Sequence, residues 1–363
     1  MQSTDESIFD RAGAWFLQSG IQQSNGGLAR YYRSDLGRYA RVSTEITGYG
    51  VSTLLYLAQR SGDARYSDAA IRAAKFLTTI AWKPEIAAFP FEYSDNCDQP
   101  EPLTFFFDTG IIIRGLLAAW RATDDQHFLD AAEAAGRAMI ADFQRSSTIH
   151  PILQLPDKNP KSHEPKWSAS PGCYQLKSAL AWRELWEIGG NEQFKSAWES
   201  ALEAALRSEP GFLPGEANRE KVMDRLHAYC YFLEALLSRA ADPTCARALH
   251  NGIEKTAAHL NEIAPVFERS DVYAQLLRIR LYAAQQDVAP LDEAAAKTEA
   301  ARAREFFVAS DDARVNGGFA FGRKGSTLLP FVNPVSTSFC VQALAMWSDY
   351  QLQQPLADPL SLI

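Results

Sequence analysis

The sequence lacks the features that accompany nucleic-acid binding, membrane insertion and secretion. Its formal charge is −8, which argues against a nucleic-acid backbone or an anionic membrane as the main partner. No apolar run approaches the roughly 18–20 residues that cross a bilayer. The first ten residues lack the basic and apolar segments of a signal sequence, so we expect a cytoplasmic protein.

Cysteine is also scarce and follows no pattern. The five cysteines are scattered, odd in number and form no CxxC pair, which argues against a disulfide framework and a structural zinc site. We interpret them as small buried hydrophobes: Cys97, Cys173, Cys230, Cys245 and Cys340. Because no cluster of His and Glu has metal-ligand spacing, we predict no catalytic metal and no cofactor.

Apolar residues are abundant, at 47% of 363 residues, and they follow a repeat. Gly48, Gly110 and Gly172 succeed one another at intervals of 62 residues. Each precedes an apolar stretch, a short polar turn and an Ala-rich stretch whose apolar residues recur at three and four positions. That period indicates helices, so each repeat is predicted to be a helical hairpin.

Six such hairpins are predicted, each with an apolar inner helix and an amphipathic outer helix. The inner helices are Tyr49–Gln59, Ile111–Arg121, Cys173–Trp186, Leu226–Arg239, Val272–Gln285 and Ser338–Tyr350. The outer helices are Ser67–Ile80, Leu129–Phe143, Lys195–Leu206, Cys245–Leu260, Leu291–Val308 and, from the N-terminus, Ser7–Gln18. No hairpin of this kind buries its apolar face alone, and pairing the N-terminal helix with the last inner helix closes a ring. The predicted fold class is all-α, an (α/α)6 toroid or barrel, with residues 1–363 as a single domain.

Long connections lead from each outer helix to the next inner helix, whereas the inner-to-outer turns are short. The long connections are expected on the face where the inner helices begin, and such loops often carry function. Two of them contain matching Asn-Gly-Gly elements, Asn25–Ala29 and Asn316–Ala320. These predict tight turns into short β-hairpins, either as a structural rim or as a phosphate-binding loop.

The alternation of inner and outer helices, the turn Gly62–Tyr66 and the segment Phe107–Gly110 resemble the six-hairpin glycosidase superfamily over nearly the whole chain. That group includes glycoside hydrolases, unsaturated glucuronyl hydrolases and the N-acylglucosamine 2-epimerase group. The resemblance implies a substrate cleft where the inner helices start. It includes no complete catalytic signature of one family, so candidate residues are taken from the helix starts of this chain.

Three acids lie at or near the predicted starts of inner helices: Glu45, Asp108 and Asp271. Glycosidic cleavage uses two carboxyl groups, about 5–5.5 Å apart for retention or 6.5–9.5 Å apart for inversion. Each acid also has a simpler interpretation as a surface residue or a helix cap, since Asp is a preferred N-cap. Asp108 differs from the matching positions of its repeat, which are held by Ile46 and Ser170.

Histidines, aromatic residues and arginines complete the candidates. His227, one turn into an inner helix, is either a satisfied core residue or a general base, whereas His150 and His163 flank a Pro- and Lys-rich loop and are interpreted as surface residues. Six residues are expected to bind substrate by stacking, hydroxyl groups or charge: Tyr49, Phe107, Trp167, Tyr174, Arg225 and Tyr273. Four arginines of the first long loop either face solvent or bind a carboxylated sugar: Arg30, Arg33, Arg38 and Arg41.

Three functions stay open on the sequence. The first is a glycoside hydrolase acting on an oligosaccharide or a uronic-acid-containing glycan, with Asp108 as acid or base and Glu45 or Asp271 as the second carboxylate. The second is a sugar epimerase or polysaccharide lyase, in which His227 with Tyr49 or Tyr273 moves a proton. The third is a non-catalytic glycan-binding or scaffolding toroid. The oligomeric state is left open.

Overall fold

The computed structural model describes residues 2–93, 102–145, 148–164, 166–213, 218–264, 266–358 and 361–363, with side chains from residue 8 onward. The chain folds into two compact units. Unit 1 comprises Met1–Gly20, Tyr31–Arg38 and Pro210–Ile363, and unit 2 comprises Ile21–Arg30 and Tyr39–Glu209. A single domain over residues 1–363 stays a prediction.

Twelve α-helices lie within the described residues. In chain order they are α1 (Gln2–Gln18), α2 (Thr44–Ser61), α3 (Ala64–Phe76), α4 (Phe106–Thr123), α5 (Gln126–Phe143), α6 (Leu176–Gly189), α7 (Glu192–Ser208), α8 (Arg219–Leu236), α9 (Pro243–Ile263), α10 (Ser270–Gln285), α11 (Glu293–Arg304) and α12 (Pro334–Gln351). They correspond one to one to the predicted inner and outer helices.

Inner and outer helices pack as hairpins within each unit. In unit 2, α4 packs between α2 and α6, while α3, α5 and α7 pack on α2, α4 and α6 in turn. In unit 1, α10 packs between α8 and α12, with α9 on α8, α11 on α10 and α1 against α12. The inner helices are buried on nearly all sides, whereas an outer helix such as α3 buries one face, formed largely by Ala69, Ala70, Ala73 and Ala74.

Four inner helices begin earlier than predicted: α2, α4 and α12 by about one turn and α8 by about two. As a result, Gly48 and Gly110 lie inside α2 and α4. The reason is tertiary. A Cβ at Gly110 would collide with the backbone of Ser178 in α6, and one at Gly115 would stand 2.6 Å from the carbonyl oxygen of Gly48. Glycine therefore lets the backbones of α2, α4 and α6 touch, at the expense of helix propensity. The third repeat glycine, Gly172, instead precedes a 3₁₀ turn that leads into α6.

The short turns of unit 2 repeat one capping chemistry. Each inner helix is followed by a residue with left-handed backbone, a common helix ending: Gly62 (φ 72°), Asp124 (φ 57°) and Gly190 (φ 65°). The next residue caps the outer helix by accepting a hydrogen bond from a backbone N–H two residues on: Asp63, Asp125 and Asn191. Each polar turn in the sequence therefore combines the end of an inner helix with the cap of the following outer helix.

The Asn-Gly-Gly elements have a structural role in each unit. Gly26 has φ 95°, and a Cβ there would stand 2.6 Å from the carbonyl oxygen of Arg72 in α3. Gly317 also has φ 95°, and a Cβ there would collide with the backbone of α1. In each element, a backbone N–H that follows the two glycines donates to a threonine of an inner helix. The N–H of Leu28 donates to Thr47 Oγ1 (2.9 Å), and that of Phe319 donates to Thr337 Oγ1 (3.0 Å). These close contacts support the structural-rim interpretation.

Short strands precede several inner helices. They are β1 (Tyr32–Arg33), β2 (Arg38–Tyr39), β3 (Val42–Ser43), β4 (Glu92–Tyr93), β5 (Leu103–Phe105), β6 (Ile152–Gln154), β7 (Asn159–Pro160), β8 (Phe267–Arg269), β9 (Gly322–Lys324), β10 (Thr327–Leu328) and β11 (Phe331–Val332). In unit 2, β3 pairs with β4, and β6 pairs with β5 and β7. In unit 1, β1 pairs with β11, and β9 pairs with β8 and β10. Because β3, β5 and β8 run directly into α2, α4 and α10, these sheets hold the helix starts in place.

Two expectations from composition can be compared with the fold. Within the part of the chain that the structure describes, no helix combines the length and apolarity needed to cross a membrane. Four cysteines are buried and unbridged, as interpreted from the sequence: Cys173, Cys230, Cys245 and Cys340. The fifth, Cys97, lies outside the described residues.

Candidate functional site

Two of the predicted acids meet at neighbouring helix starts in unit 2. Glu45 is the second residue of α2 and Asp108 the third residue of α4. Neither is a helix cap: Ser43 caps α2 by accepting from the N–H of Ile46, and the N-cap position of α4 is Phe105, which makes no side-chain capping bond. The interpretation of Asp108 as the N-cap is therefore wrong, although its carboxylate interacts with the backbone N–H of its own residue in the first turn of α4.

The environment of Asp108 favours a protonated carboxyl group. Asp108 is 6% exposed, and its Oδ2 is buried without a hydrogen-bond partner among the described residues. Burial raises the pKa of Asp108 well above its usual range and the charge of Glu45 raises it further, while Arg30 opposes both. Burial also raises the pKa of the half-buried Glu45 to about 7, again opposed by Arg30. Since two such groups titrate as a unit, the pair retains a proton near neutral pH.

Aromatic side chains form a wall beside Asp108. The ring of Tyr174 lies 6.0 Å from that of Phe107 and 5.0 Å from that of Trp167, measured between centroids. The hydroxyl of Tyr174 donates to the carbonyl oxygen of Ser170 (3.1 Å). Burial, and then the charge of Asp108, raises the pKa of Tyr174, so this tyrosine stays protonated. Trp167 is half-buried, so its ring is the part of the wall that is still accessible to a ligand.

Tyr49 and Arg30 complete the surroundings of the pair. Tyr49 lies four residues after Glu45, on the same face of α2, and is buried. The side chain of Arg30 is 45% exposed, and its guanidinium group lies over the ring of Phe91 (5.0 Å) and 3.6 Å from Glu92. Of the four predicted loop arginines, Arg30 is the one whose charge acts on both Glu45 and Asp108.

A second polar cluster lies in unit 1 around Asp271. Arg269 binds this carboxylate through two hydrogen bonds, Nε to Oδ1 (3.0 Å) and Nη2 to Oδ2 (2.7 Å), and also donates to Asp224 (2.8 Å). Burial alone would raise the pKa of Asp271, but Arg269 and then His227 lower it below its usual value. Asp271 is therefore ionised at neutral pH and serves as the partner of a cation. The N-cap position of α10 is Arg269, so Asp271 is not a cap either.

His227 is a neutral, oriented imidazole within this cluster. Its Nδ1 donates to Gln275 Oε1 (2.8 Å) and lies 3.5 Å from Asp271 Oδ2. Burial, and then the charge of Arg269, lowers the pKa of His227 to about 4. With Nδ1 engaged, the opposite ring nitrogen is the atom that carries the lone pair.

The other two unit 1 candidates make contacts that stabilise the fold. The hydroxyl of Tyr273 donates to Glu268 Oε1 (2.6 Å), a carboxylate that also binds Arg323. Burial and this hydrogen bond raise the pKa of Tyr273. Arg225 donates to the carbonyl oxygen of Phe212 (3.1 Å). Neither side chain is available as a proton carrier in this arrangement.

The sequence reasoning missed Arg269 and Gln275. Arg269 was detectable, because an arginine two residues before a buried acid on a strand leading into a helix is placed to bind that acid. Gln275 lies a further turn into α10 and is completely buried. It gave no signal that distinguishes it from an ordinary polar residue of a helix.

Comparison with known proteins identifies the fold. No protein-family model matches the chain, and no curated protein matches it in sequence. Among solved structures, it is similar to a cellobiose 2-epimerase from Spirochaeta thermophila (14% identity, TM-score 0.72, 96% of this chain and 98% of that one). It is also similar to a sugar epimerase from a ruminal bacterium (12%, 0.72, 95% and 99%) and to an unsaturated glucuronyl hydrolase from a Bacillus species that is described as degrading glycosaminoglycan (13%, 0.66, 94% and 96%). A likeness at this level of identity shows the fold, and the predicted all-α (α/α)6 fold class is confirmed.

Proposed function

We propose that this protein is a carbohydrate-active enzyme that hydrolyses a glycosidic bond in an oligosaccharide or a uronic-acid-containing glycan. The observation that supports this most is the Glu45–Asp108 pair: two carboxyl groups at the starts of adjacent helices, both with a raised pKa. Acid–base cleavage of a glycoside uses two carboxyl groups whose environments keep one protonated and allow the other to ionise. The sugar-acting proteins of similar fold are consistent with this chemistry.

In the proposed reaction Asp108 is the general acid. Its protonated carboxyl group donates to the glycosidic oxygen as the bond to the anomeric carbon breaks. Glu45, as the carboxylate of the pair, either takes a proton from the attacking water or attacks the anomeric carbon itself. Inversion of the product's configuration would indicate the first role and retention the second.

The aromatic wall and Arg30 supply binding in this proposal. Sugar rings present C–H faces that pack on aromatic surfaces, and the half-buried Trp167 is the most accessible ring of the three. Arg30 is exposed enough to meet a substrate carboxylate, a class of group that guanidinium binds well. The same charge limits the pKa rise of Glu45, which keeps this residue ionisable near neutral pH.

The Asp108→Asn substitution tests the assignment. Loss of a general acid–base group lowers turnover by about 10²–10⁴-fold, and the isosteric amide is expected to leave folding intact. Asp125→Asn is the matched control, because Asn caps a helix as well as Asp does and Asp125 lies at the start of an outer helix. Reducing-end release from a panel of glycans supplies the assay. Full activity of D108N on any cleaved glycan would rule the assignment out.

A sugar epimerase is the second candidate, and His227 is the observation that favours it. A neutral imidazole fixed by Asp271 and Gln275 suits a base that removes a proton beside a carbonyl group, and two of the structures of similar fold are described as sugar epimerases. Product analysis separates the candidates: hydrolysis yields a new reducing end, epimerisation leaves the mass unchanged, and a lyase yields an ultraviolet-absorbing product. Solvent deuterium incorporated at a sugar carbon, lost in H227Q, would favour the epimerase.

A further inference from the structure

The hairpin of β6 and β7 in unit 2 ends in two facing histidines. Leu153 pairs with Pro160 across the two strands, and the N–H of Lys161 donates to the carbonyl oxygen of Ile152 (3.1 Å). Continued by two more residues, this register places His150 opposite His163. Their ring centroids are 5.0 Å apart, with an interplanar angle of 42°. The fold therefore pairs two histidines that the sequence presented only as flanks of a surface loop.

That spacing matches the one that a shared metal ion requires. Imidazole nitrogens bind zinc at about 2.0–2.1 Å, which places the ion about 3.2 Å from each ring centre. At a tetrahedral angle, the two ring centres then lie about 5 Å apart. The observed separation of 5.0 Å equals this spacing.

We propose that His150 and His163 chelate a divalent transition-metal ion of the kind that imidazole favours, such as Zn²⁺ or Cu²⁺. His163 is exposed, whereas His150 is half-buried and its Nδ1 is buried, so Nε2 is the His150 nitrogen that would bind the ion. Around them, as elsewhere in the described ranges, no third His, Cys, Asp or Glu completes a metal-binding group. Water therefore supplies the other ligands.

The ion would act on the loop that forms the aromatic wall. His163 lies four residues before Trp167, and His150 lies two residues before β6, which pairs with β5 at the entrance to α4. A metal held by both histidines ties the segment before Trp167 to this sheet. The inference rests on the hairpin geometry and does not depend on the proposed reaction.

Calorimetric titration of tag-free, chelator-treated protein with ZnCl₂ and with CuCl₂ tests the site. One ion is expected to bind per chain, with Cu²⁺ tighter than Zn²⁺. Because losing an outer-shell partner alone costs about 10–100-fold in affinity, His163→Ala is expected to weaken binding by at least about tenfold. His127→Ala, which removes another exposed histidine of unit 2, is the matched control and is expected to bind normally.

Electron paramagnetic resonance of the Cu²⁺ form supplies a second readout, since two nitrogen ligands are expected in the unsubstituted protein and one in H163A. The proposal fails if no ion binds, if H163A binds as tightly as the unsubstituted protein, or if the nitrogen count does not change. His163 is exposed, so circular dichroism of H163A is expected to match the unsubstituted protein. Because the titration measures binding and not turnover, its failure leaves the role of Asp108 untouched.

Discussion

The substitution Glu45→Gln probes the buried carboxyl pair through protein stability, before any substrate is known. Burial raises the pKa of Glu45 from 4.5 to about 7. Between those two values the unfolded chain releases a proton that the folded protein retains. At pH 4 the group is protonated in both states and does not affect folding. As the pH rises from about 4.5 to 7 it increasingly opposes folding, and above that the penalty is constant.

The size of the effect follows from the pKa values. A difference of roughly 2.5 units at 1.36 kcal/mol per unit is about 3 kcal/mol, and partial solvent screening of the half-buried side chain reduces it. A neutral glutamine removes this penalty. We therefore expect E45Q to raise the free energy of unfolding by about 1–3 kcal/mol at pH 8 and to change it little at pH 4.

Urea unfolding at a series of pH values measures the difference, provided that the denaturant slope is unchanged. Glu184→Gln is an informative contrast within the same unit. Burial alone would raise the pKa of Glu184, but Arg114 and Arg121 lower it through hydrogen bonds of 2.7 and 2.8 Å. That carboxylate therefore stabilises the fold above its ordinary pKa, and its loss is expected to cost about 3–5 kcal/mol at pH 7. A destabilised E45Q at pH 8, or an equal gain at pH 4 and pH 8, would refute the reasoning.

Two further predictions follow from the contacts of unit 2. Gly110→Ala is expected to lower the free energy of unfolding by about 1–3 kcal/mol, because its Cβ collides with the backbone of Ser178; unchanged urea unfolding would contradict the close approach of α4 and α6. Trp167→Ala is expected to raise KM by about 2–10-fold with kcat nearly unchanged, since aromatic contacts contribute about 0.5–1.5 kcal/mol. Steady-state kinetics on a cleaved glycan measures this, and an unaltered KM would place the sugar elsewhere.

The alternation of inner and outer helices could be predicted because its causes are local in the sequence. The turn at Gly62 and Asp63 combines a left-handed helix ending with a side-chain cap, and both depend on residue type alone. The helix starts were less predictable. Gly48 and Gly110 were expected to precede their helices, but both lie inside them, where a neighbouring backbone requires glycine. That requirement comes from residues distant in the sequence.

The candidate site could be predicted only in part, because its contacts also join residues that are distant in the sequence. Asp108 stood out because the matching positions of the repeat are not acidic, and the structure places it beside Glu45 as one of the weighed pairs. Asp271 was the alternative second carboxylate, yet Arg269 binds it and keeps it ionised. The role of Arg30 was also hidden, because four arginines of one loop are equivalent in sequence. Only folding distinguishes the one whose charge reaches both carboxyl groups.

The contact between Gly115 and Gly48 has a mechanical consequence for the carboxyl pair. Where helices meet through side chains, a compressible layer separates them, and its repacking on heating or mutation shifts one helix against the other. At Gly48 and Gly115 the backbones of α2 and α4 meet without that layer, so we expect main-chain contact to set the spacing of Glu45 and Asp108. We therefore expect substitutions in the outer helices to change the stability of the protein more than they change the pKa values of the pair.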